Sequence, residues 1–434
     1  MITSYALSAS RNIFFKLFKQ AYCKEAAPPK QSMLYDASLP FFNQRKQFSQ
    51  QVTEIKSSDD GHSVTVLWDD GHKMKYPYIW LRDNCRCASC YDSPVATRKF
   101  LINDLDLDAK FKLSEQNAGE LMFYGTEGHQ TIIQSSWLRD KTFGTIDMGP
   151  VFDTKLWGAD LLSYLPKFKY EDVLTDDEIL YRWMQSVKIH GIALINDAPT
   201  HDDEELRNLT ERIGHIRQTF YGVVFGVKSK KDTYFPGYTS AELPLHTDYT
   251  FGANTPGIIN FHGLKRAPSG GKSMFVDGFK IANDLKASDP DAHRLLCTGV
   301  MSFGLVGFDC GRHFDNRGQS KIINLDKDGQ VGKISFSQHA RKDGIAKIPM
   351  EQVRSFYKAV QKFASVIYAP DNLLKFMIEE GDMVTVDNDR VLHGREKFQT
   401  DGSKERALHG AYFDHDEFES RLRILSKQFS KKHN

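Results

Sequence analysis

His246 and Asp248 stand two positions apart in the stretch LPLHTDYT, residues 243–250. On a strand, residues i and i+2 face the same side, so an imidazole and a carboxylate at that spacing can converge on one point. Such a pair supplies two ligands of a metal centre; it is equally a surface histidine beside a turn-forming aspartate. Far downstream, His393 lies just past the apolar run MVTVD (383–387), which reads as a strand. In a barrel whose distant strands face each other, His393 would complete a facial triad. Two histidines and one carboxylate suit non-haem Fe(II), because the remaining positions stay open for a chelating cosubstrate and O2. Arg406 in SKERALHGAY and Ser273 in KSMFVDGF add a guanidinium and a hydroxyl suited to the far carboxylate of a dicarboxylic keto acid. A zinc hydrolase could use the same three ligands, but it would leave Arg406 without a role.

A second constellation, WLRDNCRCASC (80–90), holds Cys85, Cys87 and Cys90, out of 6 cysteines in the chain. With His129 from the matching strand of a later hairpin, three thiolates and one imidazole would close a tetrahedral zinc site. That site would be structural, since no position remains for water. The alternative is a set of free or oxidisable thiols. Clustering of this kind points to a reducing compartment rather than a secreted disulfide framework.

The elements that must position these groups can be traced along the chain. HSVTVLWDDGHKMKYPYIWLRD (62–83) alternates around Asp69-Asp70-Gly71, a hairpin signal. ELMFYGTEGHQTIIQSSWLRD (120–140) repeats the shape and also ends in Trp-Leu-Arg-Asp, so residues 48–142 read as a small antiparallel β domain. Thr175-x-x-Glu178 predicts a capping box opening a helix that Gly191 ends, followed by a buried strand at 192–195 and a helix over 202–213. From there to about residue 345 the pattern is strand-like and rich in turns. Val353, Phe356, Val360, Phe363 and Ile367 then mark the core face of a long helix. Many short strands with a few covering helices predict a mainly β protein, with a double-sheet jelly roll over 168–430.

The bulk numbers narrow the classes. With 434 residues, the chain is long enough for two or three domains. Its 57 Lys plus Arg nearly cancel its 56 Asp plus Glu, so no global field recruits nucleic acid or a membrane surface. No apolar run approaches the length of a membrane span. Gly271-Lys272-Ser273 mimics the end of a phosphate-binding loop, but Arg266 occupies the place of its first glycine. Residues 1–24 carry Arg11, Lys16, Lys19 and Lys24 and no acid, with Phe14, Leu17, Phe18 and Ala21 at helical spacing. Such a start resembles a mitochondrial presequence; a disordered or docking extension on a cytoplasmic protein is the alternative. Residues 1–45 are therefore set apart from the fold.

Together, HTDY, GGKSMFVDGF, DNDRVLHGRE and RALHGAYFDHDEFESRLRIL resemble the gamma-butyrobetaine dioxygenase family of Fe(II)/2-oxoglutarate oxygenases, with the trimethyllysine dioxygenases as near relatives. The likeness spans roughly residues 48–428. It implies a jelly-roll catalytic domain behind a zinc-binding β domain, and a homodimer. It also implies iron on His246, Asp248 and His393, 2-oxoglutarate on Arg406 and Ser273, O2 as oxidant and ascorbate as reductant. Cys85, Cys87, Cys90 and His129 are the zinc ligands it implies. The expected reaction is hydroxylation of gamma-butyrobetaine to L-carnitine, with trimethyllysine or another betaine as the alternative substrate.

A trimethylammonium group cannot donate hydrogen bonds, so aromatic faces must hold it. The resemblance places Tyr221, Phe225, Tyr238 and Tyr412 in that cage, with Tyr249 also at the substrate. Phe225 stands where the family has a tryptophan. Phe235 and Ser337 stand where asparagines are expected near the substrate carboxylate. These departures bear on the exact substrate more than on the chemistry.

Overall fold

Gly71, at φ +79°, turns the chain between β2 (Ser63–Trp68) and β3 (Lys73–Pro77), and β1 (Val52–Ser57) pairs with the free edge of β2. Val64, Val66 and Trp68 are buried on β2, the period-2 pattern of a half-buried strand. A second sheet of β4 (Phe111–Asn117), β5 (Glu120–Gly125) and β6 (Gln130–Gln134) repeats the arrangement. The Trp-Leu-Arg segments of the two repeats lie in short helices, α1 (Tyr78–Asp83) and α2 (Ser135–Arg139, with Asp140 at its C-cap), each leaving the last strand of its sheet. Leu81 and Leu138 drop into one core with Val64, Tyr76 and Phe123, and Trp80 stacks on Trp137 at 5.4 Å. Helices this short leave no periodic trace, which is why the sequence pattern shows only strands.

The structure, a computed structural model, describes residues 51–117, 119–141, 149–228, 236–399 and 406–430. The N-terminal extension and Phe235 lie outside the described residues. The chain divides into two compact units, Met1–Asp147 and Met148–Asn434.

The second unit is built on two sheets. In the larger, strands run in the order β9 (Val224–Lys228), β21 (Ala407–Phe413), β11 (Ile258–Lys265), β19 (Met383–Asp387), β8 (Ile192–Asn196) and β7 (Lys167–Lys169). The smaller orders β10 (Leu243–His246), β20 (Val391–Arg395), β12 (Ser273–Asp277) and β18 (Leu374–Phe376). Every pairing within these two sheets is antiparallel except β7 with β8. Ile192 and Leu194 of β8 join Ile259, Phe275, Val384 and Val391 in an inner core shared by both sheets. Their neighbours Ala193 and Ile195 point the other way, into a layer with α3 (Asp177–His190), α4 (Glu204–Glu211) and α8 (His415–Ser430). Burial on both faces makes these strands read as unbroken apolar runs. The result is mainly β with covering helices: a jelly roll whose mouth carries the chemistry.

Two sequence expectations need correcting here. Thr175 does not cap α3; the Asp176 carboxylate does, accepting from the Glu178 amide at 2.7 Å, while the Thr175 hydroxyl bonds back to Glu171. The stretch 278–298, expected to be strand-like, forms α5 (Gly278–Ser288) and α6 (Pro290–Thr298). Asp277 and Asp289 cap them, and Ile281, Ala282 and Leu285 are buried at helical spacing. A long hairpin, β13 (Val300–Asp309) with β14 (Arg312–Lys321), follows, and then β15 (Ile323–Leu325), β16 (Val331–Ile334) and β17 (Arg341–Ala346). Helix α7 (Val353–Ile367) buries Phe356, Val360, Phe363 and Ile367 as expected, with Val353 half-buried at its start. Each such side chain removed from water is worth roughly 1.5–3 kcal/mol.

Candidate active site

Strand register, not sequence spacing, brings the triad together. In the β10–β20 pair His246 lies directly opposite His393, and Phe275 of β12 flanks His393 on the other side. Asp248 is not on the strand with His246: β10 stops at His246, and the chain turns back through Asp248 so that the carboxylate meets both rings. His393, expected just past a strand, sits in the middle of β20. Asp248 oxygens lie 3.4 Å from His246 Nε2 and 3.6 Å from His393 Nε2. All three donors fall within 4.8 Å of one another. A divalent ion at about 2.1 Å from each donor needs neighbouring ligands about 3 Å apart, so a small inward movement closes the set.

The surroundings fix what each ligand offers. His246 Nδ1 faces the Pro244 carbonyl at 2.8 Å, so that nitrogen carries the proton and Nε2 keeps its lone pair. Burial, then the neighbouring His246, pushes the His393 imidazole down to about 4, so it is neutral at physiological pH. Burial raises the Asp248 carboxyl, but His393, His246 and the Tyr412 hydroxyl outweigh it and hold the group below the usual carboxylate range. The Tyr412 hydroxyl donates to Asp248 Oδ2 at 2.8 Å. Asn388 clamps the turn from behind: its Oδ1 accepts the Asp248 amide at 2.8 Å and its Nδ2 donates to the Asp248 and Pro256 carbonyls. Tyr249, next in the chain, holds φ +58°, a local cost that this clamp sustains.

One cavity joins these side chains to three further polar groups. Ser273 of β12, Arg395 of β20 and Arg406, just before β21, line it. Burial, then the charge of Arg395, lowers the Arg406 guanidinium to about 9, so it remains a cation at neutral pH. Arg395 spends one amino group on the Thr239 and Ala241 carbonyls, at 2.9 and 2.7 Å, and stacks over Phe398 at 4.4 Å. Gly271, at φ +79°, passes so close that an added Cβ would lie 3.1 Å from Phe398 and 3.6 Å from Arg406; this glycine makes room beside the guanidinium. Gly394 likewise admits β10, whose Leu243 carbonyl would stand 2.7 Å from a Cβ.

Tyr221, Phe225, Tyr238 and Tyr412 line the same cavity. Phe225 stacks on Tyr412 at 4.9 Å and meets Tyr221 at 5.7 Å. Tyr249 packs edge-on against Tyr412 at 5.6 Å and lines an adjoining cavity with Ser337 and Thr250.

In the first unit, Cys85, Cys87 and Cys90 converge on His129. Their sulfurs lie 3.4, 3.8 and 3.5 Å from its Nε2. Zn–S bonds of about 2.3 Å and Zn–N of about 2.0 Å in a tetrahedron require S–N separations near 3.5 Å, so the donor set fits the ion. Burial pushes Cys85 up to about 11; it also raises Cys87, but the Ser89 hydroxyl and the neighbouring thiols bring that group down to about 7. A zinc ion between them would hold all three sulfurs as thiolates, Cys85 included. His129, expected on a strand, lies in the turn just before β6, where a loop can aim its ring at the cysteines.

The catalytic unit matches the taurine catabolism dioxygenase TauD, TfdA family over residues 150–412. Gamma-butyrobetaine dioxygenase of Homo sapiens is 33% identical over 384 residues, covering 87% of this chain and 98% of that protein. This chain belongs to the TauD/TfdA dioxygenase family. Residues 55–121 also match the gamma-butyrobetaine hydroxylase-like N-terminal domain. The gamma-butyrobetaine dioxygenase of Pseudomonas sp. (strain AK-1) is 31% identical, covering 84% of this chain and 94% of that protein. The mitochondrial trimethyllysine dioxygenase of Rattus norvegicus is 30% identical, covering 81% and 83%. The protein is thus a 2-oxoglutarate-dependent dioxygenase, with Fe(II), 2-oxoglutarate and O2 as its reagents.

Some residues of this dioxygenase's site escape the sequence reading. His339 lines both cavities, its ring 4.7 Å from that of His246, and burial holds it down to about 3. It follows the irregular stretch Phe336-Ser337-Gln338, whose spacing carries no signal. Asn388 and Arg395 sit inside quoted motifs, yet nothing in the pattern says that one clamps a turn and the other props a loop.

Proposed function

We propose that this dioxygenase hydroxylates gamma-butyrobetaine to L-carnitine, with His246, Asp248 and His393 holding the iron. The observation that carries the reading is a shared cavity: four aromatic rings and the triad line one space. A quaternary ammonium has no N–H, so a site for it must use π-faces and exclude water, as these rings do. Bound Fe(II) with 2-oxoglutarate supplies O2-dependent oxidation in which decarboxylation of the keto acid is coupled to C–H hydroxylation.

The chain's own residues do the positioning. Arg406 pairs with the far carboxylate of 2-oxoglutarate, and the Ser273 hydroxyl adds a hydrogen bond to the same group. Both are buried, which strengthens the pair relative to water. The cage fixes the ammonium end of the substrate and thereby decides which carbon meets the oxidant. Tyr412 belongs to both parts, presenting its ring to the cage and its hydroxyl to Asp248. A zinc ion on Cys85, Cys87, Cys90 and His129 ties the segment after the first hairpin to the second and adds to the core the two sheets share. The acid-free basic segment at residues 1–24 and the mitochondrial name of one relative support a mitochondrial location.

The test is turnover of gamma-butyrobetaine beside trimethyllysine by the purified, iron-loaded enzyme, read as hydroxylated product and succinate. The expected kcat/KM for gamma-butyrobetaine exceeds that for trimethyllysine at least about tenfold, or about 1.4 kcal/mol. The reverse order would give the trimethyllysine reading instead.

A further inference from the structure

The β13–β14 hairpin ends in the turn Cys310–Gly311, with φ +46° and +75°. Positive φ at both positions is the turn that a right-twisted hairpin favours. The hairpin's root is buried through Met301 and Phe303, but its outer half leaves that core, with Val306 and Phe308 59% and 48% exposed. Side chains alternate along a strand, so Leu305 and Asp309 share the opposite face. Leu305 lines the substrate cavity. Asp309, at the tip of that face, accepts a hydrogen bond from the Tyr238 hydroxyl at 3.3 Å, and its other oxygen accepts from the Cys310 amide at 2.9 Å. Phe314 of β14 packs on Phe220 at 4.4 Å and holds the hairpin against the cage segment. Arg312 faces Asp309 in the hairpin register, yet among the described residues Asp309 forms no ion pair.

We propose that Asp309 is the counter-charge of the cationic site: anchored on the cage residue Tyr238, its carboxylate draws a quaternary ammonium to the rings and sets the preference for a cation over a neutral group of the same shape. Two effects act in the same direction. A carboxylate beside buried rings attracts a cation more strongly than it would in bulk water. A phenol donating to a carboxylate also becomes more electron-rich, which deepens the negative face that binds the cation. The rings then recognise the three methyl groups, and Asp309 supplies the field.

The inference rests on the cage reading above, so its test separates the two. The probes are gamma-butyrobetaine, read as KM, and its isostere 5,5-dimethylhexanoate, whose tert-butyl head is uncharged and whose carboxylate is kept, read as a competitive Ki. Both are measured on the iron-loaded wild type, Asp309→Asn and Asp309→Glu. Asp309→Asn is expected to raise the KM of the cation about tenfold and to move the Ki of the isostere less than about twofold. Asp309→Glu, which keeps the charge, should recover most of the loss. Asp309 is only half-buried, at the end of its strand, so both variants are expected to fold, and an unchanged melting temperature verifies it. An Asp309→Asn enzyme that keeps the wild-type preference for the cation, or that weakens both probes equally, overturns the inference and leaves the cage standing. A wild type that binds the isostere as tightly as the betaine removes cage and counter-charge together.

Discussion

The cysteine cluster of the first unit and the histidine triad of the second gather their donors in different ways. Three of the four cluster donors come from one short stretch, Cys85 to Cys90, and only His129 arrives from a separate hairpin. The triad draws on two strands far apart in sequence, aligned by the β10–β20 register. The cluster presents four donors and is complete; the triad presents three, on the wall of a cavity, and leaves room for other ligands. Four closed ligands suit an ion that holds a fold, and three open ones suit an ion that does chemistry. The same contrast appears in the support around each site. Asn388, Tyr412 and the Pro244 carbonyl orient the triad without metal, whereas around the cysteine sulfurs stand the Ser89 hydroxyl and the Arg82 guanidinium, which donates to Cys90 Sγ at 3.2 Å. A preorganised open site should lose activity and keep its fold when cut; a closed one should do the reverse.

The largest effect is expected at the triad. His246→Ala, Asp248→Ala or His393→Ala should each lower 2-oxoglutarate turnover by at least about a thousandfold, since two ligands cannot hold iron and chelated cosubstrate in geometry. The melting temperature should barely move, because Asn388 and the strand register still hold the turn. Full activity in any of these variants removes that residue from the site. Next comes the cluster. Cys85→Ser or His129→Ala should lower the melting temperature by about 10 °C, as metal binding free energy is folding free energy in a unit this small. Thermal unfolding of purified variants checks this, and an unchanged transition would make the cysteines ornaments of the fold. The smallest effect falls on the cage. Tyr238→Leu removes one π-face worth about 2 kcal/mol, so the KM of gamma-butyrobetaine should rise roughly thirtyfold. Steady-state kinetics with varied betaine reads it, and an unchanged KM would take Tyr238 out of the cage.

Much of this was legible in the sequence because it lies in short, chemically marked stretches. His246, Asp248 and His393 carry their identity in residue type, and Cys85, Cys87 and Cys90 declare themselves by spacing. The β2–β3 hairpin followed from Asp69-Asp70-Gly71, and the core face of α7 from its period. What stayed hidden depends on register and on short elements. That Asp248 reaches His246 by a turn rather than along a strand is set by Asn388, 140 residues away in the chain. His339 enters the cavity from an irregular segment, and Asp309 reaches Tyr238 only because a hairpin folds over the cage segment. Helices α5 and α6 were masked by the strand-like residues on either side, although Asp277 and Asp289 are recognisable caps.

The contrast between the two centres is tested most directly by metal analysis of the purified enzyme before and after mild chelation, with turnover and thermal unfolding followed in parallel. One zinc per chain should remain after chelation and the melting temperature should hold, while iron and 2-oxoglutarate turnover are lost together and return on adding Fe(II). Zinc that leaves with the iron, or a protein that contains no zinc at all, would contradict the division into one closed and one open site.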